Sequence, residues 1–195
     1  MRVLILMAVC LSLAACASGA QPAQMIAAEG TTIGASSSLR DSMTVGAITG
    51  GSKTSPLWKS EVSNEDFAEA LRQTLIARTM LASSKARFVL NAELVELDQP
   101  TLGGFDMDVT STVKYRLTSA DGSKTLFETT VKKLYTANFS STFLGVKRLQ
   151  LANEGSMREN IKQFIEELIA ASEKDPAFKL DAKAISQLRG LVPGV

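Results

Sequence analysis

The 195 residues include no histidine. That removes the commonest general base, every Ser-His-Asp or Cys-His arrangement, and the commonest ligand for zinc or copper. Cysteine is almost absent: the only two are Cys10 and Cys16. Both lie close to the start, so no disulfide framework can staple the fold. Aromatic residues make up 6 %, with one tryptophan and two tyrosines. Net charge is scarce as well. Lys and Arg total 21 against 20 Asp and Glu, a formal balance of +1. No electrostatic footprint for nucleic acid is visible. Serines are plentiful, but no GxSxG elbow presents one as a nucleophile.

What is present fits a globular protein. Hydrophobic residues make up 45 % and charged residues 21 %, which is ordinary usage. The length suits one domain with appendages and buries a core without metal or disulfide. The first fifteen residues stand apart. Arg2 is a short positive n-region, Val3 to Leu13 is apolar except for Ser12, and Ala14-Ala15 closes the run. This reads as a secretory signal, and the run is too short to span a bilayer. Without Arg2 the chain holds 20 basic and 20 acidic side chains and is formally neutral.

The tripeptide Leu13-Ala14-Ala15 runs directly into Cys16. The tetrapeptide resembles the lipobox of bacterial lipoproteins at every position. The resemblance implies cleavage between Ala15 and Cys16, a diacylglyceryl group on the Cys16 thiol, and commonly an acylated N-terminus. The membrane is then a partner through the acyl chains on Cys16. Each buried methylene contributes about 0.8 kcal/mol, so two or three chains anchor stably where one does not. Cys10 leaves with the signal, and the mature chain has no second cysteine. The next residue is Ala17 rather than aspartate. In a Gram-negative host that uses aspartate to retain lipoproteins in the inner membrane, this implies the periplasmic face of the outer membrane.

The expected organisation is a signal peptide over 1–15, a lipidated N-terminus and flexible tether over 16–36, and one domain over 37–195. Residues 17–36 are small and polar with little periodicity, as in a linker. A first strand is expected at Ser42 to Thr49, closed by Gly50-Gly51. Ser63 and Asp66 form a capping-box pattern before a helix from Asn64 to Ala82, with Phe67, Ala70, Leu71, Thr74 and Leu75 at helical spacing. Three strands follow: one through Phe88, Leu90, Ala92 and Leu94; a second through Met107 to Leu117; a third with Phe127 and Val131 inward. Gly103-Gly104 and Asp121-Gly122 mark short turns, so the three form an antiparallel meander. A closing helix carries Met157, Ile161, Phe164, Ile165, Leu168 and Ile169 on one stripe. Ser156 and Glu159 are a candidate cap, although VKRLQLANE also suits an earlier start near Val146. Pro176 stops this helix, and 181–192 fits a last short one.

The order is β-α-β-β-β-α. It predicts an α+β two-layer sandwich, an antiparallel sheet with helices on one face. The second strand of the meander alternates most cleanly. Its polar side, Thr110, Thr112, Lys114 and Arg116, is a candidate partner surface, joined by Trp58 in a proline-containing loop. Phe139 and Phe143 fit either an exposed anchor or a plug for the core.

The remaining motifs carry no chemistry. GAITGGSKT, residues 46–54, has Ser52 between Gly51 and Lys53, and no helix starts at the lysine, so it is not a phosphate loop. Asp106 and Asp108 share a strand face, but two carboxylates are a poor calcium site. Glu166 and Glu167 diverge by about 100° around their helix and cannot face one substrate. Lys132-Lys133 and Lys147-Arg148 read as surface charge. No cofactor, metal site or catalytic group is expected. The lipobox, tether and element order together resemble small outer-membrane lipoproteins that assist envelope assembly or lipid transport. The expectation is therefore a structural or interaction component with an envelope protein partner. Two alternatives stand beside it: a carrier of lipid or amphiphile in an apolar cleft between helices and sheet, and an envelope enzyme using carboxylates or Tyr115 and Tyr135.

Overall fold

A computed structural model describes residues 18–55, 59–100 and 105–178. Four strands are formed, β1 (Met43–Thr49), β2 (Phe88–Asp98), β3 (Met107–Ser119) and β4 (Thr125–Ala137). Three helices accompany them, α1 (Pro22–Met25), α2 (Asn64–Ala77) and α3 (Gly145–Lys174). The sheet order is β1-β2-β3-β4. α2 and α3 pack on one side, against β1 and against β3 and β4 respectively.

The expected α+β sandwich and meander are present, with one correction. β1 pairs with β2 in parallel, Met43 beside Phe88 and Thr49 beside Glu93, so the sheet is mixed. The cause is the connection. α2 carries the chain from the end of β1 back to its beginning, and a helical crossover returns the next strand in the same direction. β2–β3 and β3–β4 are antiparallel, running from Phe88 opposite Ser119 and from Met107 opposite Ala137. Gly122 takes φ 72° in the turn after β3, a conformation that favours glycine. The other turn signal, Gly103-Gly104, lies outside the described residues, as does the expected helix at 181–192.

The helices differ from expectation at their ends. The amide of Asp66 donates to Ser63 Oγ at 3.0 Å, as the capping pattern requires. The reciprocal bond is altered: the Ser63 hydroxyl donates to the Asp66 carboxylate at 2.7 Å. α2 stops at Ala77 rather than Ala82, because Thr79 adopts φ 55°. That left-handed residue turns the chain so that Met80 is buried and Leu81 bridges to Met43. α3 starts at Gly145, so Ser156 is not a cap; it sits fully buried in mid-helix. Pro176 follows the Asp175 cap at its end.

Residues 18–42 depart most from the sequence reading. They form a strap seated between α2 and α3 rather than a free linker. Ala20, Met25, Ala27, Ile33 and Leu39 are all core residues. Arg78, itself buried, clamps the strap by donating to the carbonyls of Ala27 at 3.1 Å, Thr31 at 2.7 Å and Glu29. Gly30, at φ 130°, lets the backbone come this close, since a Cβ there would lie 2.4 Å from the Arg78 guanidinium. Short apolar residues spaced along a polar segment give no periodic signal, so this packing was hidden from the sequence.

The core lies between sheet and helices. Tyr115 and Phe164 stack at 4.0 Å, and Phe67 meets Tyr115 edge-on at 6.4 Å. α3 comes unusually near the sheet at Gly155, where a Cβ would lie 2.3 Å from the Tyr135 ring. This approach lets polar helix side chains reach strand backbone. Tyr115 OH donates to Asn160 Oδ1 at 2.9 Å, and Asn160 Nδ2 donates to the carbonyls of Ser111 and Val131, both at 3.0 Å. Ser156 Oγ receives the Ser111 amide at 2.9 Å and donates to the Lys133 carbonyl at 2.8 Å. Burial pushes the Tyr115 phenol well above its ordinary pKa, so it stays a neutral donor.

Candidate functional site

β3 sorts its side chains by parity. Met107, Val109, Ser111, Val113, Tyr115 and Leu117 are buried under the helices. Thr110, Thr112, Lys114 and Arg116 point to the opposite, uncovered face, as their alternation predicts. Register brings neighbours beside them. Across β4, Thr112 faces Lys132, Lys114 faces Thr130, and Arg116 faces Glu128. Across β2, Lys114 faces Glu93 and Arg116 faces Asn91.

The centre of the uncovered face is a cross-strand charge pattern, with exposed Leu134 beside Thr110. Glu128 accepts from Arg116 Nε at 2.5 Å and from Lys114 Nζ at 3.1 Å. The hydrogen bond from Arg116, then that from Lys114, holds its carboxyl below the usual pKa. One glutamate therefore serves two cations, and Glu93 stands across β2 from Lys114, so charge of both signs meets at the middle of β3. A bulge in β1 between Val45 and Ile48 opens the sheet nearby, and Asn91 Oδ1 accepts the freed Ala47 amide at 2.8 Å. Between these strands lies a shallow hollow of about 440 Å³, lined by Ala47, Thr49, Asn91, Glu93, Lys114 and Arg116. It is open and mixed in character, suited to a polar surface rather than to an enclosed small molecule.

The other residues singled out in the sequence resolve individually. Ala15, Cys16 and Trp58 lie outside the described residues. Asp106 accepts the Phe139 amide at 2.9 Å, and Asp108 accepts the Thr136 hydroxyl at 2.6 Å, so each ties a loop or strand locally. Among the described residues, no group of three or more His, Cys, Asp or Glu side chains could hold a metal ion. Glu167 accepts from Thr129 at 2.9 Å, while Glu166 faces solvent. Gly51 donates to Asn64 Oδ1 at 2.7 Å, so the glycine pair after β1 serves the N-terminus of α2. The carboxyls of Glu69, Asp121 and Glu128 are all shifted downward, each led by a side-chain hydrogen bond, and all are at the surface.

Phe139 and Phe143 do not plug the core. Phe139 opens a 3₁₀ turn (Phe139–Ser141), and its ring meets Phe143 at 5.4 Å. Phe105, from the connection between β2 and β3, meets Phe139 at 5.6 Å. Sequence reasoning missed Phe105 because only the antiparallel β3–β4 register brings the two loops together.

No family model matches the chain, and no curated protein matches it. A solved structure does: a protein of the DUF330 family from Xanthomonas campestris, with TM-score 0.55 and 9 % identity over 76 % of this chain and 95 % of that one. The likeness is one of fold. More remote are a candidate lipoprotein from Caulobacter crescentus, at TM-score 0.48 and 14 % identity over 69 % and 94 % of the two chains, and a minor lipoprotein from Acinetobacter baumannii, at 0.43 and 13 % over 66 % and 91 %. The shared arrangement assigns no residue a role, so the site rests on the geometry above.

Proposed function

We propose that the protein is a lipid-anchored envelope component that holds a partner protein on its uncovered sheet face. One observation carries the reading. Among the described residues the first core residue is Ala20, four positions after Cys16 and 1 % exposed. Ser60 Oγ donates to the Ser18 carbonyl at 2.7 Å, and the Ala20 amide donates to the Glu61 carbonyl at 3.0 Å. The domain thus begins immediately beyond the proposed acylation site, and a lipid on Cys16 holds it against the membrane. In a Gram-negative host its address is the periplasmic face of the outer membrane. The sheet, with Lys114 and Arg116 at its centre, is the broad surface that the helices leave free.

A carrier needs an apolar cleft between helices and sheet. The stacked Tyr115–Phe164 pair occupies that space, and the strap fills the groove between α2 and α3. Both favour the docking role over the carrier. The test is capture of the native lipidated protein with its bound proteins from membranes in mild detergent. Thr110→Ala, Thr112→Ala, Lys114→Glu and Arg116→Glu together should abolish co-purification of a stoichiometric protein. Unchanged capture would remove this face as the site.

A further inference from the structure

We infer that the phenylalanine cluster of Phe105, Phe139 and Phe143, with Leu144, beds into the lipid surface beside the anchor and sets the stance of the domain on the membrane. The inference rests on the reading that Cys16 is acylated and adds a second point of contact.

The cluster is exposed where an isolated soluble domain has no use for it. Phe105 is 79 % exposed, Phe143 83 % and Leu144 55 %. The rings are contiguous, Phe105 meeting Phe139 edge-on at 5.6 Å and Phe139 meeting Phe143 edge-on at 5.4 Å. Contiguous apolar surface of this kind marks an interaction site. The support is rigid. The Arg148 guanidinium lies 5.0 Å over the Phe139 ring and donates to the Thr142 carbonyl at 2.7 Å, so the loop is pinned to the first turn of α3.

The same turns of α3 hold the start of the strap. Gln150 Nε2 donates to the Gly19 carbonyl at 3.0 Å, and Glu154 Oε1 accepts the Gln21 amide at 2.9 Å. Arg148 and Gln150 are two residues apart, about 3 Å along the helix axis. One residue, Ala17, separates Ser18 from Cys16, and two Cα–Cα steps reach at most about 7 Å. The start of the strap and the phenylalanines therefore flank the N-terminal end of α3 at a common height. Exposed Lys147 stands between them, its ammonium donating to Gln150 Oε1 at 2.9 Å. A long cationic side chain beside aromatic rings suits the headgroup level of a bilayer, with rings below and charge above. No helix among the described residues is long and apolar enough to cross a membrane, so contact is at the surface.

This placement sets the orientation of the whole domain. The C-terminal ends of β1, β2 and β4 lie toward the membrane, and the turn at Asp121-Gly122 lies farthest away. The uncovered face then stands upright and is open to a partner from the side.

The test uses the full lipidated protein in vesicles of phosphatidylethanolamine and phosphatidylglycerol, with Trp58→Phe removing the single tryptophan. Phe143→Trp is the reporter and Lys132→Trp, on the uncovered face, the control. Intact mass is read first. The expected result is at least twofold quenching of the Phe143→Trp fluorescence by lipids brominated high on the acyl chain, with the Lys132→Trp fluorescence unaffected. Phe105→Trp, in the neighbouring loop, should repeat it. Acyl chains present with the Phe143→Trp reporter unquenched would overturn this inference alone. A reporter signal indifferent to lipid but dependent on protein concentration would give the patch to a second copy and overturn it likewise. A mass without acyl chains would overturn the anchored reading and this one together.

Discussion

The two faces of β3 are built from the same thirteen residues and could hardly differ more. On the covered face, Ser111 and Tyr115 are fully buried, and every polar group named there closes on Asn160, Ser156 or strand backbone. On the uncovered face, Lys114 and Arg116 share Glu128 and line an open hollow with Glu93 and Asn91. One side has spent its bonding capacity on the fold, and the other retains it. A strand that separates its faces by parity can change its exposed surface without disturbing its core. Mutations should therefore divide cleanly between stability and binding.

The largest effect is expected at Tyr115. Tyr115→Ala removes the ring stacked on Phe164 and orphans the Asn160 carbonyl, and should cost about 4 kcal/mol. Urea unfolding measures this; a cost below about 1 kcal/mol would show that the covered face is not the organising core. Next comes the clamp. Arg78→Ala leaves three strap carbonyls without their donor and should cost about 2 kcal/mol. Hydrogen exchange should then rise in residues 27–31 before it rises in β3. The double change Lys114→Glu and Arg116→Glu sharpens the contrast from the other side. Exposed pairs contribute about 0–1 kcal/mol, and the new carboxylates meet Glu93 and Glu128 across the strands, so the unfolding free energy should fall by only about 1–2 kcal/mol while partner capture is lost.

The smallest effect concerns acid. Asp121 is held down to about 2 by the Ser119 hydroxyl first and then by the Ser123 amide and hydroxyl. Its folded pKa is lower than its unfolded value of about 3.9, so its contribution is present above that value and lost as pH falls toward 2. Asp121→Asn should leave stability near neutrality slightly lower and flatten its acid dependence between about pH 4 and 2. An unchanged acid limb would mean that the turn is indifferent to this carboxylate.

Sequence made the strong periodicities legible. The alternation of β3 and the stripe of α3 from Met157 to Ile169 are where they were expected, because each follows one dominant period. Three features were not legible. The direction of β1 depends on where a helix returns the chain, which no local pattern records. The strap depends on single small or apolar residues, such as Ala20 and Ile33, fitting a groove made by distant helices. The first half of α3 buries Gln150, Asn153, Glu154 and Ser156, residues that normally mark an exposed surface. Their partners are backbone groups on β3, the Lys133 carbonyl and residues near Gly19 and Ser60. Of the candidate site, the four β3 residues were found by parity alone. The bulge at Ala47, the shared glutamate and Phe105 required the register.

The most direct measurement is native mass spectrometry of the protein taken from its own membranes in mild detergent, beside the Lys114→Glu, Arg116→Glu form. The account predicts a chain beginning at Cys16 with acyl chains attached, bound to a stoichiometric envelope protein that the double substitution releases. A chain without acylation, or an acylated chain whose partner is unmoved by the substitution, would contradict it.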